Sequence, residues 1–331
     1  MNSTDSEVLR AAHEWLTGGQ SVTLVTVART WGSSPRPPGS LLAIRGDGRL
    51  VGSVSGGCLE DDLMERITTQ QEKSHRPEVL KYGVTSEETQ RFGLPCGGVV
   101  ELVLEQLPDA ASVEPLMKAI EARELLLRRL DGETGEAELQ PGVADAKEFS
   151  YDGQRLSKLF GPVWRLLLIG AGQLSRYVAE MALALNYRVI VCDPREEYAQ
   201  PWQVAGTELD TRMPDDVVLA MKLDPCSAVL TLTHDPRLDD MALMEALTSD
   251  AFYVGALGSV RSNEKRRERL LELDVPAAAI ERLHGPVGLP IGSRTPPEIA
   301  LAILAELTAA RHGVRLQPAA EKVDEYRKMS A

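Results

Sequence analysis

Two cysteines in the first third of the chain stand in mirrored glycine settings, Gly56-Gly57-Cys58-Leu59-Glu60 and Pro95-Cys96-Gly97-Gly98. A thiol at a glycine turn stays reachable, because glycine lets the backbone approach a ligand closely and offers bare N–H groups. A thiolate there suits a soft, redox-active metal or the carriage of sulfur. Neither cysteine belongs to a Cys-x-x-Cys and no histidine lies close by in sequence, so zinc spacing is absent. The competing reading is plain packing, since free cysteine also behaves as a small buried hydrophobe. A third cluster, Gly32-Ser33-Ser34-Pro35-Arg36-Pro37-Pro38-Gly39, follows a β-branched run. Its hydroxyls, amides and the Arg36 fork suit an anionic or pterin-like group; alternatively it is a rigid proline turn.

The second half carries a different chemistry. An apolar run from Trp164 to Ile169 leads into Gly170-Ala171-Gly172-Gln173-Leu174-Ser175, an apolar helix, and a second run, Tyr187 to Cys192, that ends at Asp193. This strand–turn–helix–strand–acid order is that of a dinucleotide-binding unit. Gly170 permits the tight turn, Gly172 lets a pyrophosphate reach the helix N-terminus, and Asp193 is expected to accept from ribose hydroxyls. Ser175 stands where a third glycine is usual. Strands at Ala228 to Thr233 and Phe252 to Leu257 bring His234, Asp235 and Gly258 to the carboxyl edge of the same sheet, where ligands bind.

The elements that must position these groups are legible from periodicity and turn chemistry. Thr4-Asp5-Ser6-Glu7 reads as a capping box opening a helix that Gly18-Gly19 ends. Ser21 to Thr30 is a strand, and Leu41 to Ile44 and Leu50 to Val54 flank the hairpin signal Gly46-Asp47-Gly48. Cys58 to Ile67 is helical, with Glu60, Asp61 and Asp62 in its first turn, where the dipole favours negative charge. Val79 to Tyr82 and Val99 to Leu104 are short strands. From Pro108 to Gly161 the pattern weakens to one helix near Val113 to Arg123 and a polar stretch. The expected division is therefore a first domain over 1–108, a junction over 109–160 and a Rossmann-like domain over 161–331. Thr295-Pro296-Pro297-Glu298 is a capping box with proline at the first helical position, launching a final helix.

Composition bounds the partners. At 331 residues with 43% hydrophobic and 26% charged side chains, the chain reads as an ordinary globular protein of two cores. A formal net charge of −13 argues against nucleic acid. Four cysteines without a disulfide framework suit a reducing cytoplasm. No secretion signal opens the sequence and no apolar run approaches membrane-spanning length, so no membrane is expected. No Ser-His-Asp pattern, His-x-x-x-His pair or P-loop is evident.

Together these segments resemble the XdhC/CoxI family. The resemblance is carried by Gly32-Ser33-Ser34-Pro35-Arg36, Ser55-Gly56-Gly57-Cys58-Leu59-Glu60 and Phe92-Gly93-Leu94-Pro95-Cys96-Gly97-Gly98 in the first half. In the second half it is carried by Gly170-Ala171-Gly172, Cys192-Asp193-Pro194-Arg195, Thr233-His234-Asp235, Tyr253 to Ser259 and Ile291 to Ala300. It implies an α/β fold, a mixed α+β XdhC/CoxI-like domain followed by a Rossmann-like doubly wound parallel sheet. It also implies an accessory chaperone that binds molybdenum cofactor, as molybdopterin or its cytosine dinucleotide form, protects it and inserts it into an apo molybdenum hydroxylase. The clients implied are of xanthine dehydrogenase or aldehyde oxidoreductase type, with a cysteine desulfurase as a further partner where the cofactor is sulfurated. On this reading Cys58 and Cys96 lie at the molybdenum end, beside Gly56, Gly57, Gly97 and Gly98, and Ser33, Ser34 and Arg36 lie at the anionic end. The alternative is an NAD(P)-dependent oxidoreductase built on Gly170, Gly172, Asp193, His234 and Gly258. A homodimer is expected, since closed two-fold assemblies are the commonest oligomers.

Overall fold

The structure, a computed structural model, describes residues 3–32, 36–57, 59–69, 76–83, 98–143 and 147–314. It divides into two compact units, Met1–Val163 and Trp164–Ala331.

The first unit is built on β1 (Val22–Trp31), whose residues through Ala28 are all buried, so that both faces of the strand are covered. Its alternating residues feed two cores: Val25 and Val27 pack on one side, Val22 and Leu24 on the other. Helix α1 (Ser3–Thr17) covers the second side through Val8, Leu9 and Ala12. It is already running at Ser3, so Thr4 lies inside the helix rather than capping it. The hairpin β2 (Leu41–Arg45) and β3 (Leu50–Gly52) forms as its turn sequence requires, antiparallel with Leu42 opposite Gly52. Helix α2 (Glu60–Thr69) covers the first side with Leu63. Strands β4 (Glu78–Tyr82) and β5 (Val99–Leu107) complete a five-stranded antiparallel sheet of order β3-β2-β1-β5-β4.

Residues 109–160 carry more structure than their polarity announces. After helix α3 (Glu114–Glu121) come β6 (Leu126–Asp131), β7 (Ala137–Pro141), β8 (Phe149–Tyr151) and β9 (Arg155–Phe160). They form a four-stranded antiparallel sheet of order β7-β6-β9-β8 within the first unit. Leu130 and Leu156 pack on Ala28 and Val103. Charged residues bind the same layers: Arg128 donates to both carboxylate oxygens of Glu105 at 2.9 and 2.8 Å, with both side chains buried. Lys158 is buried between the Gly39 carbonyl (2.8 Å) and Asp5 (3.1 Å).

The second unit is a six-stranded, wholly parallel sheet. Its elements run β10 (Arg165–Ile169), α4 (Gln173–Ala184), β11 (Arg188–Cys192), α5 (Glu196–Ala199), β12 (Thr207–Asp210), α6 (Pro214–Met221), β13 (Ser227–Thr231), α7 (Pro236–Thr248), β14 (Tyr253–Ala256), α8 (Val260–Glu272), α9 (Ala277–Ile280), β15 (Leu283–His284) and α10 (Pro296–Arg311). The spatial order is β12-β11-β10-β13-β14-β15, the 3-2-1-4-5-6 order of a Rossmann sheet. Helices α4 and α10 fill one face through Val178, Ala182, Ile303 and Leu307, and α6, α7 and α8 fill the other through Val217, Leu243 and Leu270. The fold is thus a mixed α+β unit followed by a doubly wound parallel sheet. Thr295 and Glu298 form the expected reciprocal capping box at the start of α10. No helix among the described residues is long and apolar enough to cross a membrane.

Candidate functional site

The loop before α2 closes on a carboxylate. Glu60 is 5% exposed and takes hydrogen bonds from the backbone N–H groups of Val54 (3.0 Å), Ser55 (3.1 Å), Gly57 (3.0 Å) and Leu59 (3.2 Å). The hydroxyls of Ser53 (2.8 Å) and Ser55 also donate to it. The serines serve twice, Ser53 Oγ accepting from Gly56 N–H at 2.9 Å and Ser55 Oγ from Leu59 N–H at 2.8 Å. Burial pushes the Glu60 carboxyl up, but the bonds from Ser55, Ser53 and the loop amides outweigh it and hold it at about 2. Gly56 and Gly57 turn outward at φ of +80° and +116°, a region that side chains avoid.

This corrects one expectation about the turn: the amides of Gly56 and Gly57 are not bare, since Ser53 and Glu60 accept them. Glu60, read from sequence only as a dipole-compensating acid, is the organiser. The signal was a glutamate at the first helical position, three residues after the end of Ser-x-Ser-Gly-Gly. Of the other residues expected here, Arg36 is half-buried and Gly98 is buried just before β5. Ser33, Ser34, Cys58, Cys96 and Gly97 lie outside the described residues. Among the described residues no three His, Cys, Asp or Glu side chains gather to hold a metal ion.

In the second unit a cavity of about 240 Å³ opens beyond the carboxyl ends of β10 and β13, where the strand order reverses. Gly170, Gly172, Gln173, Arg195, Tyr198, Thr233 and His234 line it, with Leu174, Leu232, Leu257, Pro296 and Ile299 as its apolar wall. Gly170 has φ of +105°, and a Cβ there would lie 2.8 Å from Thr233 Cγ2, so the close approach of two strand ends demands glycine. Gly172 is the N-cap of α4 and supplies no side-chain cap, so the first-turn amides keep their donors for another partner. Nothing lies within 4 Å of a Cβ built on Gly172. The buried Ser175 packs where the third glycine is usual.

Asp193 and Gly258 stand behind this wall rather than in it. Asp193 is fully buried, and its carboxylate accepts from Ala171 N–H and Arg195 Nη2 (both 2.8 Å) on one oxygen. The other oxygen accepts from Arg195 Nε (2.9 Å) and Arg195 N–H (3.1 Å). Burial raises its pKa, yet these bonds from Arg195 and Ala171 hold it below the usual carboxylate range. The expected acceptor for ribose hydroxyls is thus already committed, and the side chain that reaches the cavity is Arg195, stacked 4.0 Å from the Tyr198 ring centroid. Gly258, at φ of +142°, forms the turn into α8, and its neighbour Leu257 lines the cavity. His234 is exposed at the cavity mouth, while Asp235 caps α7 by accepting from Arg237 N–H. Thr233 is held from below: its hydroxyl donates to the buried Asp239 at 2.8 Å, and Asp239 accepts from Arg266 at 2.9 Å. Sequence reasoning left Asp239 and Tyr198 without a role; Asp239, the acid of a buried ion pair, reads as helix-surface charge.

Comparison with known proteins matches both units. Residues 15–83 match the XdhC and CoxI family, and residues 166–307 match the XdhC Rossmann domain. The chain is 28% identical over 310 residues to the molybdenum cofactor insertion chaperone PaoD of Escherichia coli, covering 92% of this chain and 88% of PaoD. It is 26% identical to a probable xanthine dehydrogenase subunit of Bacillus subtilis, covering 89% of this chain and 94% of that protein. A crystal structure from Bacillus halodurans, described as a xanthine dehydrogenase, superposes with a TM-score of 0.74 at 24% identity, over 96% of this chain and 98% of that one. With its glycine turns, its Rossmann sheet and these matches along both units, the chain belongs to the XdhC/CoxI family.

Proposed function

We propose that this protein is a cytoplasmic accessory chaperone that binds molybdenum cofactor, protects it and delivers it to an apo hydroxylase of xanthine dehydrogenase or aldehyde oxidoreductase type. The observation that carries the reading is the Glu60 knot, which rigidly presents Gly56 and Gly57 at the surface immediately before Cys58. A turn with its own amides satisfied can carry and release a cargo, because it need not reorganise when the cargo leaves. Cys58 and Cys96 supply soft thiolates for the molybdenum end or for sulfur received from a cysteine desulfurase, and Ser33, Ser34 and Arg36 supply donors for the phosphate and pterin. The named roles of PaoD and of the Bacillus subtilis protein support this direction. In the same reading the crevice of the second unit holds a nucleotide, a cytosine nucleotide or NAD(P), and the protein works as a homodimer.

A second reading, an NAD(P)-dependent oxidoreductase with His234 as acid–base, is favoured by the position of His234 at the crevice mouth. It leaves the whole first unit idle. Mass spectrometry of the gently purified protein separates the two. The chaperone reading expects bound molybdopterin or its cytosine dinucleotide, lost in Cys58→Ala and Cys96→Ala variants that still fold. Nicotinamide dinucleotide without any molybdopterin would overturn it, and an unchanged molybdenum content in the double variant would remove the thiolate role.

A further inference from the structure

The crevice of the second unit differs from an NAD-type site in the group that faces the ribose. In such sites a free carboxylate at the end of the second strand accepts from the 2′-hydroxyl, whereas an arginine there accommodates a 2′-phosphate. Asp193 occupies the carboxylate position, but it is fully buried and each of its oxygens already accepts two hydrogen bonds. A ribose diol would have to displace Arg195 or the Ala171 amide to reach it. No carboxylate lines the cavity among the described residues; its charged side chain is Arg195, with His234 and Tyr198 as the other titratable groups. Asp235, the next acid in the His234 loop, is neutralised by Arg237 at 2.9 Å.

Arg195 is also prepared for an anion. Its Nε and Nη2 are spent on Asp193, which fixes the guanidinium plane, and the Tyr198 ring supports one face. The side chain remains 24% exposed at the cavity wall. A guanidinium held in place this way loses little freedom on binding, so its Nη1 donors meet a phosphate already oriented, while Asp193 offsets part of its charge. We infer that Arg195 makes this crevice selective for a dinucleotide bearing a phosphate on the ribose, NADP(H) rather than NAD(H). This rests on the reading of the crevice as a nucleotide site and adds to it the chemical class of the ligand.

Calorimetric titration of the full chain with NADP⁺, NAD⁺, adenosine 2′,5′-bisphosphate, 5′-AMP and CMP tests the inference. Each 2′-phosphorylated ligand should bind about tenfold or more tightly than its unphosphorylated partner, as a charge-assisted contact predicts. Arg195→Gln should bring the NADP⁺ to NAD⁺ ratio close to one, and Arg195→Lys should restore part of it. The ratio is read on one protein preparation, so it does not depend on the variant's stability. Equal binding of NADP⁺ and NAD⁺, CMP binding as tightly as adenosine 2′,5′-bisphosphate, or an unchanged ratio in Arg195→Gln would overturn the inference and leave the crevice a nucleotide site. Failure of all five ligands to bind would remove both.

Discussion

Each unit presents a glycine turn held by a buried acid, and the two turns leave their amides in opposite states. Around Glu60 every acceptor and donor comes from residues 53–60, and the carboxylate takes up the loop's own N–H groups. Around Asp193 the bond to Ala171 crosses from β11 to the end of β10, and it holds the loop while the first-turn amides of α4 stay uncapped. Similar sequences of glycine followed by helix therefore make different tools. The first has its amides closed inside the loop, and the second leaves the first-turn amides of its helix without a side-chain cap.

The contrast is broken most severely at Glu60. Glu60→Ala orphans the amides of Val54, Ser55 and Gly57 and takes the acceptor from two hydroxyls, and should cost on the order of 3 kcal/mol in chemical denaturation of the first unit. A stability change within experimental error would mean that the carboxylate does not close the loop. Gly170→Ala comes next: its positive φ and the 2.8 Å approach to Thr233 should together cost about 2 kcal/mol. A neutral result there would deny that strand-end packing fixes the turn.

Acid sharpens the comparison without changing a residue on the outside of the loop. Glu60 is held at about 2, below its ordinary 4.5, so its contribution is complete above pH 4.5 and disappears as pH falls toward 2. The stability gap between wild type and Glu60→Gln should therefore narrow across that window; a gap independent of pH would contradict the assignment. The smallest effect belongs to Gly172→Ala, where a Cβ meets nothing and φ is −82°. About 0.5 kcal/mol is expected, the difference between glycine and alanine at an N-cap. Nucleotide binding should nonetheless weaken, which calorimetry on the same variant would read.

Much of the second unit was legible because its signals are local. Thr295 with Glu298 and the run from Trp164 to Asp193 each announce an element by neighbouring residues. The sheet over 126–160 was not legible, because its inward positions include Arg128 and Lys158, which read as surface until Glu105 and Asp5 are seen beside them. The site was legible as a set of turns but not as a set of roles. Asp193 has the right position for a ribose acceptor, and only its partners reveal that Arg195 has taken over the wall of the cavity. In the first unit, Arg36, Gly56, Gly57 and Gly98 are placed, while the thiols lie outside the described residues.

The buried contact between Lys158 and Asp5 has a topological consequence. Asp5 lies two residues into α1, and Lys158 five residues before the first unit ends at Val163. The first helix and the last strand of that unit are thus tied together by a buried ion pair. Modules whose ends meet tolerate being moved, since a linker of a few residues can join the old termini and new ones can be opened at a surface loop. The first unit is in that sense a transplantable cassette, suited to circular permutation or to insertion into another host chain without stretching its core.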